Sequence, residues 1–296
     1  MTKDCTGIFR CLLCGGNAGY LFLSNVPDCY LGRGVLSEYW QCYECNLVQQ
    51  HPFPIHTNQL YADYPVHHTK SVWYETARKL LLKPVYFPLA KVTPVSKVLD
   101  YGCGDGGYLG WLHGRTTQLA GFEIDPAQAR RVKDRLGVSV FSDFATLKSA
   151  HPDGFDIITM HFVLEHLSDP LGTLDLLTTL LLPGGTIFAT VPHLDCWEYR
   201  LFKRRWHGLD APRHLSFPEQ EHAESMGRRC GLTTRISFVP FPNTFAASMA
   251  TLPGWRFRSS LFALYLIPGL FASRIFSRNT MAIEWRKDIR VNGGYA

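Results

Sequence analysis

Apolar residues along the middle of this chain recur with two alternating periods. Val98-Leu99-Asp100 reads as the end of a short buried strand, and Gly102, Gly104, Gly106 and Gly107 follow as a tight turn. From Tyr108 to His113 the apolar positions return at helical spacing, and Gln118 to Phe122 is a second short strand that ends on Glu123. Asp125-Pro126 starts an amphipathic helix to Leu136, and Val138 to Phe141 is a third strand. Strands are then expected over Phe155–His161, Thr186–Val191, Thr233–Val239 and Thr280–Trp285, with a helix over 171–182 between the first two. A capping box at Ser216-x-x-Glu219 predicts the start of a helix that runs to Cys230. The sequence of strand, glycine loop, helix, strand and acid is the opening of a nucleotide-binding α/β unit.

The first fifty residues follow a different logic. Cys11-x-x-Cys14 and Cys42-x-x-Cys45 are two knuckles, each able to place two thiolates on one metal ion, and together they complete a tetrahedral shell. Tyr20–Leu23 and Glu38–Gln41 lie between them as short strands, which suggests a ribbon holding Zn2+. The spacer exceeds the usual length for such pairs. A redox C-x-x-C needs no second pair, so a structural metal is the reading adopted, with Cys5 and Cys29 as non-ligands.

The glycine loop matches G-x-G-x-x-G through Gly102, Gly104 and Gly107, and a dinucleotide fold is one way to read it. Asp105 argues otherwise. A carboxylate inside a loop that cradles a pyrophosphate would set like charges together in a poorly screened place. A ligand bearing sulfonium and ammonium groups would tolerate both Asp100 and Asp105, and S-adenosylmethionine is such a ligand. At these residues the chain resembles the class I, Rossmann-like S-adenosylmethionine-dependent methyltransferases. The resemblance continues through FDIITMHFVLEHLSDP (155–170) and LLPGGTIFATVP (181–192).

This resemblance implies an α/β fold with a Rossmann-like seven-stranded, mostly parallel sheet whose last strand is antiparallel, preceded by a small zinc-ribbon domain. The expected organisation is a ribbon over 1–50, a connector with a lid helix over 51–95, and a methyltransferase domain over 96–296 with insertions at 192–218 and 240–279. It implies that Asp100, Gly102, Gly104 and Gly106 line the cofactor and that Glu123 grips its ribose. It also implies that Asp143 accepts the adenine amino group, that Phe144 covers the ring, and that His161 lies on the floor between cofactor and acceptor. Glu165-His166 is expected to pack the next turn. His214 is the first choice for a general base, with His161 second and with His193 and His207 as runners-up. Arg213 beside it is expected to hold an anionic substrate. Tyr61, Tyr64, His67 and His68 fall on the connector.

Composition narrows the partners. At 296 residues with a net charge of +5, the chain is too weakly basic for a dedicated nucleic-acid binder. The N-terminus lacks an apolar core of signal-peptide length, so a cytoplasmic, reducing setting is expected, in which nine cysteines serve as metal ligands and small hydrophobes rather than disulfides. The stretch 240–278 is apolar and aromatic with arginines near its ends, and 255–278 fits burial, a homodimer contact or a membrane surface. The combined expectation is methyl transfer to a hydroxyl or carbon of a sugar, glycolipid or other small metabolite. A cofactor-fold scaffold and a nucleic-acid methyltransferase gripping through its ribbon are the rival classes.

Overall fold

The computed structural model describes residues 8–32, 34–54, 91–241, 243–252, 258–276 and 278–289. The connector expectations at Tyr61, Tyr64, His67, His68 and the lid helix lie outside these residues, as does Cys5. Two sheets organise the rest. The first joins β1 (Gly19–Pro27), β2 (Leu36–Cys42) and β3 (Val48–Gln50), all antiparallel.

The second sheet holds β4 (Lys97–Tyr101), β5 (Gln118–Phe122), β6 (Ser139–Phe141), β7 (Phe155–His161), β8 (Leu181–Pro192), β10 (Leu232–Val239) and β11 (Thr280–Lys287). Its order is β10-β11-β8-β7-β4-β5-β6, and β11 runs antiparallel to both neighbours. Strand order reverses between β4 and β7, so the carboxyl ends of those two strands flank the crevice where open α/β sheets bind ligands. The seven-stranded sheet with one antiparallel strand near its end is the fold the sequence implies. Leu99, Ile158 and Ile187, on three of the central strands, are all fully buried.

Three of the helices start on an aspartate cap, a residue type the N-cap position favours. Asp125 caps α2 (Pro126–Leu136) by accepting from the Ala127 N–H, and α1 (Leu109–Leu112) precedes it directly after the glycine loop. Asp143 caps α3 (Phe144–Ala150), and Asp169 caps α4 (Pro170–Thr178). The helix expected over 171–182 therefore stops early, and β8 begins at Leu181 and runs through Pro183-Gly184-Gly185 without a break in the strand. A shift in the β7–β8 register between Phe155 and Ile157 absorbs the turn-forming residues.

The insertion after β8 carries α5 (Trp197–Phe202), two short 3-10 turns and the two-residue strand β9 (Ser216–Phe217). Strand β9 pairs with β3, Val48 against Phe217 and Gln49 against Ser216, and so completes the ribbon sheet from a point far along the chain. Ser216 is consequently not the helix cap that the sequence suggests. The cap of α6 (Gln220–Arg229) is Glu219, whose reciprocal partner is His222. Ser216 and Phe217 are instead drawn into the ribbon sheet, where both are buried.

Between β10 and β11 lie α7 (Thr244–Thr251) and α8 (Ser259–Phe276). The latter carries Pro268 inside it. Leu264, Ile267 and Phe271 on it are 64%, 67% and 69% exposed. Among the described residues no helix is long and apolar enough to cross a membrane.

Candidate functional site

The glycine loop leaves β4 at Tyr101 and turns under the control of its own backbone. Gly102 adopts φ +74°, and a Cβ built there would meet the Val163 side chain at 2.6 Å. Only glycine supplies both the angle and the space. The N–H groups of Gly102 and Cys103 donate to the Phe122 carbonyl at 2.8 and 2.9 Å, which ties the loop to the end of β5.

Three carboxylates converge on this loop. Glu123 Oε2 accepts from the Gly104 N–H at 2.9 Å and Oε1 accepts from the Asp125 N–H at 3.1 Å, so its carboxylate is fixed before any ligand arrives. Asp105 Oδ1 accepts from the Gly107 N–H at 2.9 Å. Asp100 is 3% exposed and accepts from the Thr159 hydroxyl at 2.8 Å. Burial pushes its carboxyl up to about 7, opposed by the Thr159 bond and assisted by the negative charges of Glu123 and Asp105. A ligand that brought positive charge beside Asp100 would reverse that shift.

Of the remaining cofactor expectations, Gly106 has φ +70° within the same loop. Asp143 Oδ2 takes both the N–H and the hydroxyl of Thr146 at 2.7 and 2.8 Å, so this carboxylate caps α3 while staying exposed beyond β6. Phe144 is the first residue of that helix. His161 ends β7, with Nδ1 3.2 Å from the Thr190 hydroxyl and its ring edge-on to Tyr108 at 4.5 Å. Burial pushes its pKa down to about 3. The next residue, Phe162, has φ +55°, an uncommon angle for a bulky side chain and a common one beside ligand sites.

His214 is reached through the insertion. It is 7% exposed, and its Nδ1 lies 2.9 Å from the Gly208 carbonyl. A carbonyl can only accept, so Nδ1 carries the proton and the lone pair lies on Nε2. Nε2 is 3.8 Å from Glu165 Oε1 and 3.9 Å from Asp210 Oδ2. Burial, with the neighbouring His166, pushes its pKa down to about 3 against the pull of Asp210. The runners-up have structural partners. His193 pairs with Glu219 at 2.8 Å, and the backbone of His207 donates to Ser248.

Arg213 corrects an expectation. Its guanidinium, 0% exposed, meets Asp28 at 2.9 Å and Asp210 at 2.7 Å, so it joins the insertion to the ribbon and does not face a substrate. Glu165 and His166, expected to pack the next turn, lie in it. These residues form a 3-10 turn, Leu164–His166, directly after β7; the Glu165 carboxylate is wholly buried, and neither oxygen finds a hydrogen-bond partner among the described residues. The signal in the sequence was an acid and a histidine side by side where a strand ends at the crevice.

The four ribbon cysteines come together as their spacing requires. One ligand atom from each of Cys11, Cys14, Cys42 and Cys45 lies within 4.8 Å of all the others. The Cys11–Cys45 and Cys14–Cys42 sulfur separations are 3.4 and 3.6 Å. A tetrahedral zinc with Zn–S bonds near 2.3 Å would hold its sulfurs about 3.8 Å apart, so the cluster fits zinc closely. The N–H groups of Gly16 and Glu44 point at the sulfurs of Cys14 and Cys42, each at 3.4 Å, as they would to support thiolates.

Residues 73–235 match the family described as "Methyltransferase domain". The chain belongs to that family. Ubiquinone biosynthesis O-methyltransferase of Xanthomonas campestris pv. campestris is 33% identical over 119 residues, 37% of this chain and 49% of the relative. The protein of the same name from Aeromonas salmonicida is 31% identical over 165 residues, 50% of this chain and 69% of the relative. The chain thus spans about half the length of the first of these curated relatives. Among solved structures, a chain in the complex of the Haloferax volcanii Trm112 methyltransferase activator with a methyltransferase superposes with a TM-score of 0.51. At 16% identity, covering 73% of this chain and 95% of that one, it shows a shared fold. The Rossmann-like methyltransferase fold places the glycine loop, Glu123 and the end of β7 around one crevice.

Proposed function

We propose that this methyltransferase-family protein transfers the methyl group of S-adenosylmethionine to a hydroxyl or carbon of a small metabolite, a sugar or a lipid-linked acceptor. The observation that carries the reading is the ring of Asp100, Asp105 and Glu123 around the glycine loop. Three acids suit a cationic ligand and disfavour a pyrophosphate. Glu123 would take the ribose hydroxyls, Gly102, Gly104 and Gly106 would let the backbone approach, and Asp143 with Phe144 would meet the adenine. The names of the Xanthomonas and Aeromonas relatives favour a hydroxyl over a carbon acceptor.

The sulfonium already activates the methyl group, so the protein has to align the acceptor with the S–CH3 bond and remove a proton. His214 and His161 are the proposed bases. Burial keeps both rings neutral, the form that can accept a proton. Zinc in the ribbon is proposed as structural, because the ribbon segment supplies only three short strands of its sheet and little core of its own.

Calorimetry with S-adenosylhomocysteine tests the reading at its first step. Stoichiometric binding that is weakened by Glu123→Ala supports it. No binding by folded, zinc-loaded protein would leave a scaffold that keeps the fold without the chemistry.

A further inference from the structure

The Glu165–His166 turn and His214 come from segments about fifty residues apart and meet in one buried place. One ligand atom from each of the three lies within 4.8 Å of the other two. Both imidazoles are held through Nδ1 by backbone carbonyls, His166 by Arg213 at 3.0 Å and His214 by Gly208 at 2.9 Å. That arrangement fixes each ring's tautomer and leaves its lone pair on Nε2, the outer-shell pattern that orients metal-ligating histidines. The two rings pack edge to face at 4.6 Å. Beside them is the Glu165 carboxylate, 0% exposed, with neither oxygen hydrogen-bonded among the described residues. An ionised carboxylate in such a place needs a cation or hydrogen-bond donors. The guanidinium of Arg213, next in the chain to His214, is held by Asp28 and Asp210.

We infer that Glu165, His166 and His214 form a second metal site, distinct from the four cysteines, that binds one divalent first-row transition ion through two imidazoles and a carboxylate. Two nitrogens and one oxygen are a borderline donor set suited to zinc, manganese, iron or cobalt and poorly suited to ions that prefer thiolate. Metal–ligand bonds of about 2.1 Å would draw the three ligand atoms inward by roughly an ångström, a movement that side-chain rotation can supply. Three protein ligands leave coordination positions open. Val163, adjoining the turn, lies against Gly102 of the glycine loop, so the turn that carries Glu165 and His166 is next to that loop. On the reading that the protein is a methyltransferase, the ion would take the His214 lone pair, leaving His161 as the base of the two, and would acidify an acceptor oxygen bound there before methyl transfer.

The metal claim is tested without cofactor or turnover. Protein carrying one zinc per chain in its ribbon is titrated with Mn2+, and unbound Mn2+ is read by electron paramagnetic resonance. Manganese discriminates the two sites because it prefers nitrogen and oxygen to thiolate. One Mn2+ per chain is expected, with nitrogen-14 modulation from imidazole in its spin echo, and at least a tenfold loss of affinity in both Glu165→Gln and His214→Ala with ribbon zinc retained. Because a buried variant can fail to fold, the wild-type spectrum decides alone: no bound Mn2+, or bound Mn2+ without nitrogen modulation, overturns the site. Binding of S-adenosylhomocysteine by the same sample is independent of this result, so failure of the metal site and failure of the methyltransferase reading are told apart.

Discussion

Arg213 Nη2 lies 2.9 Å from Asp28 Oδ1, with the two side chains 0% and 1% exposed, and this contact bridges 185 residues of sequence. Asp210 holds the other side of the guanidinium at 2.7 Å. Removing the cation would leave two carboxylates in a dry interface, and breaking a buried pair from one side costs about 3–5 kcal/mol. Arg213→Ala should therefore lower the midpoint of urea unfolding substantially. Arg213→Lys should recover only part of it, since one ammonium cannot present the fork that meets both acids. An unchanged midpoint in the alanine variant would show that the bridge contributes nothing.

His193 provides a pH-dependent tie on the opposite flank of the insertion. Burial alone would depress its pKa, but the hydrogen bond and charge of Glu219, together with the Arg278 carbonyl, outweigh burial and raise it. A group with a raised folded pKa stabilises fully below its unfolded value, about 6.5 for histidine, and that stability is lost as pH rises through the folded value. The wild type should lose more stability than His193→Gln when unfolding is compared at pH 6 and at a pH above the folded value. Parallel losses in the two proteins would remove this pair from the account.

The parts of the molecule that were legible in the sequence are those fixed by local chemistry. Gly102 and Gly106 mark positive φ angles, Glu123 ends a strand at a set distance from the loop, and two C-x-x-C pairs can only be brought together in a few ways. What the sequence hid depends on partners far away. Ser216 has the spacing of a helix cap, yet pairing with Gln49 makes it a strand residue. Arg213 carries a charge that looks available until Asp28 is seen beside it. The convergence of Glu165 with His214 required knowing that the insertion folds back over the end of β7, where the Leu215 N–H donates to the Glu165 carbonyl at 2.7 Å.

Gly102 permits a two-residue test of the loop. Alanine there meets two costs: a backbone angle of φ +74° and a Cβ 2.6 Å from Val163 Cγ2. Backbone strain of this kind is on the order of 1–3 kcal/mol. Gly102→Ala should weaken S-adenosylhomocysteine binding and lower thermal stability. Adding Val163→Ala should relieve the steric part and leave the backbone part. If the double variant is no better than the sum of the two single changes, Val163 does not crowd the loop.

Stripping the ribbon of metal should be felt at His214 before it is felt at the glycine loop. The ribbon holds the 210–217 segment through the β3–β9 pairing and through the Tyr39 hydroxyl, which donates to the His214 carbonyl at 3.0 Å. It is docked in turn by Arg229, which donates to the Leu13 carbonyl at 2.9 Å, and by His222 on the Cys45 carbonyl at 2.6 Å. Among the described residues, the hydrogen bonds that fix Glu123 and Gly104 join the two to each other and to Asp125, Gln128 and Phe141, none of them in the ribbon. A ribbon that depends on zinc for its fold loses its sheet when the ion is chelated. The order of loss is then defined: protease cleavage appears within 8–54, Mn2+ affinity falls as His214 loses its support, and S-adenosylhomocysteine affinity changes least. Limited proteolysis and calorimetry on one chelated sample follow all three, and a ribbon that stays protease-resistant without metal would break the chain at its first link.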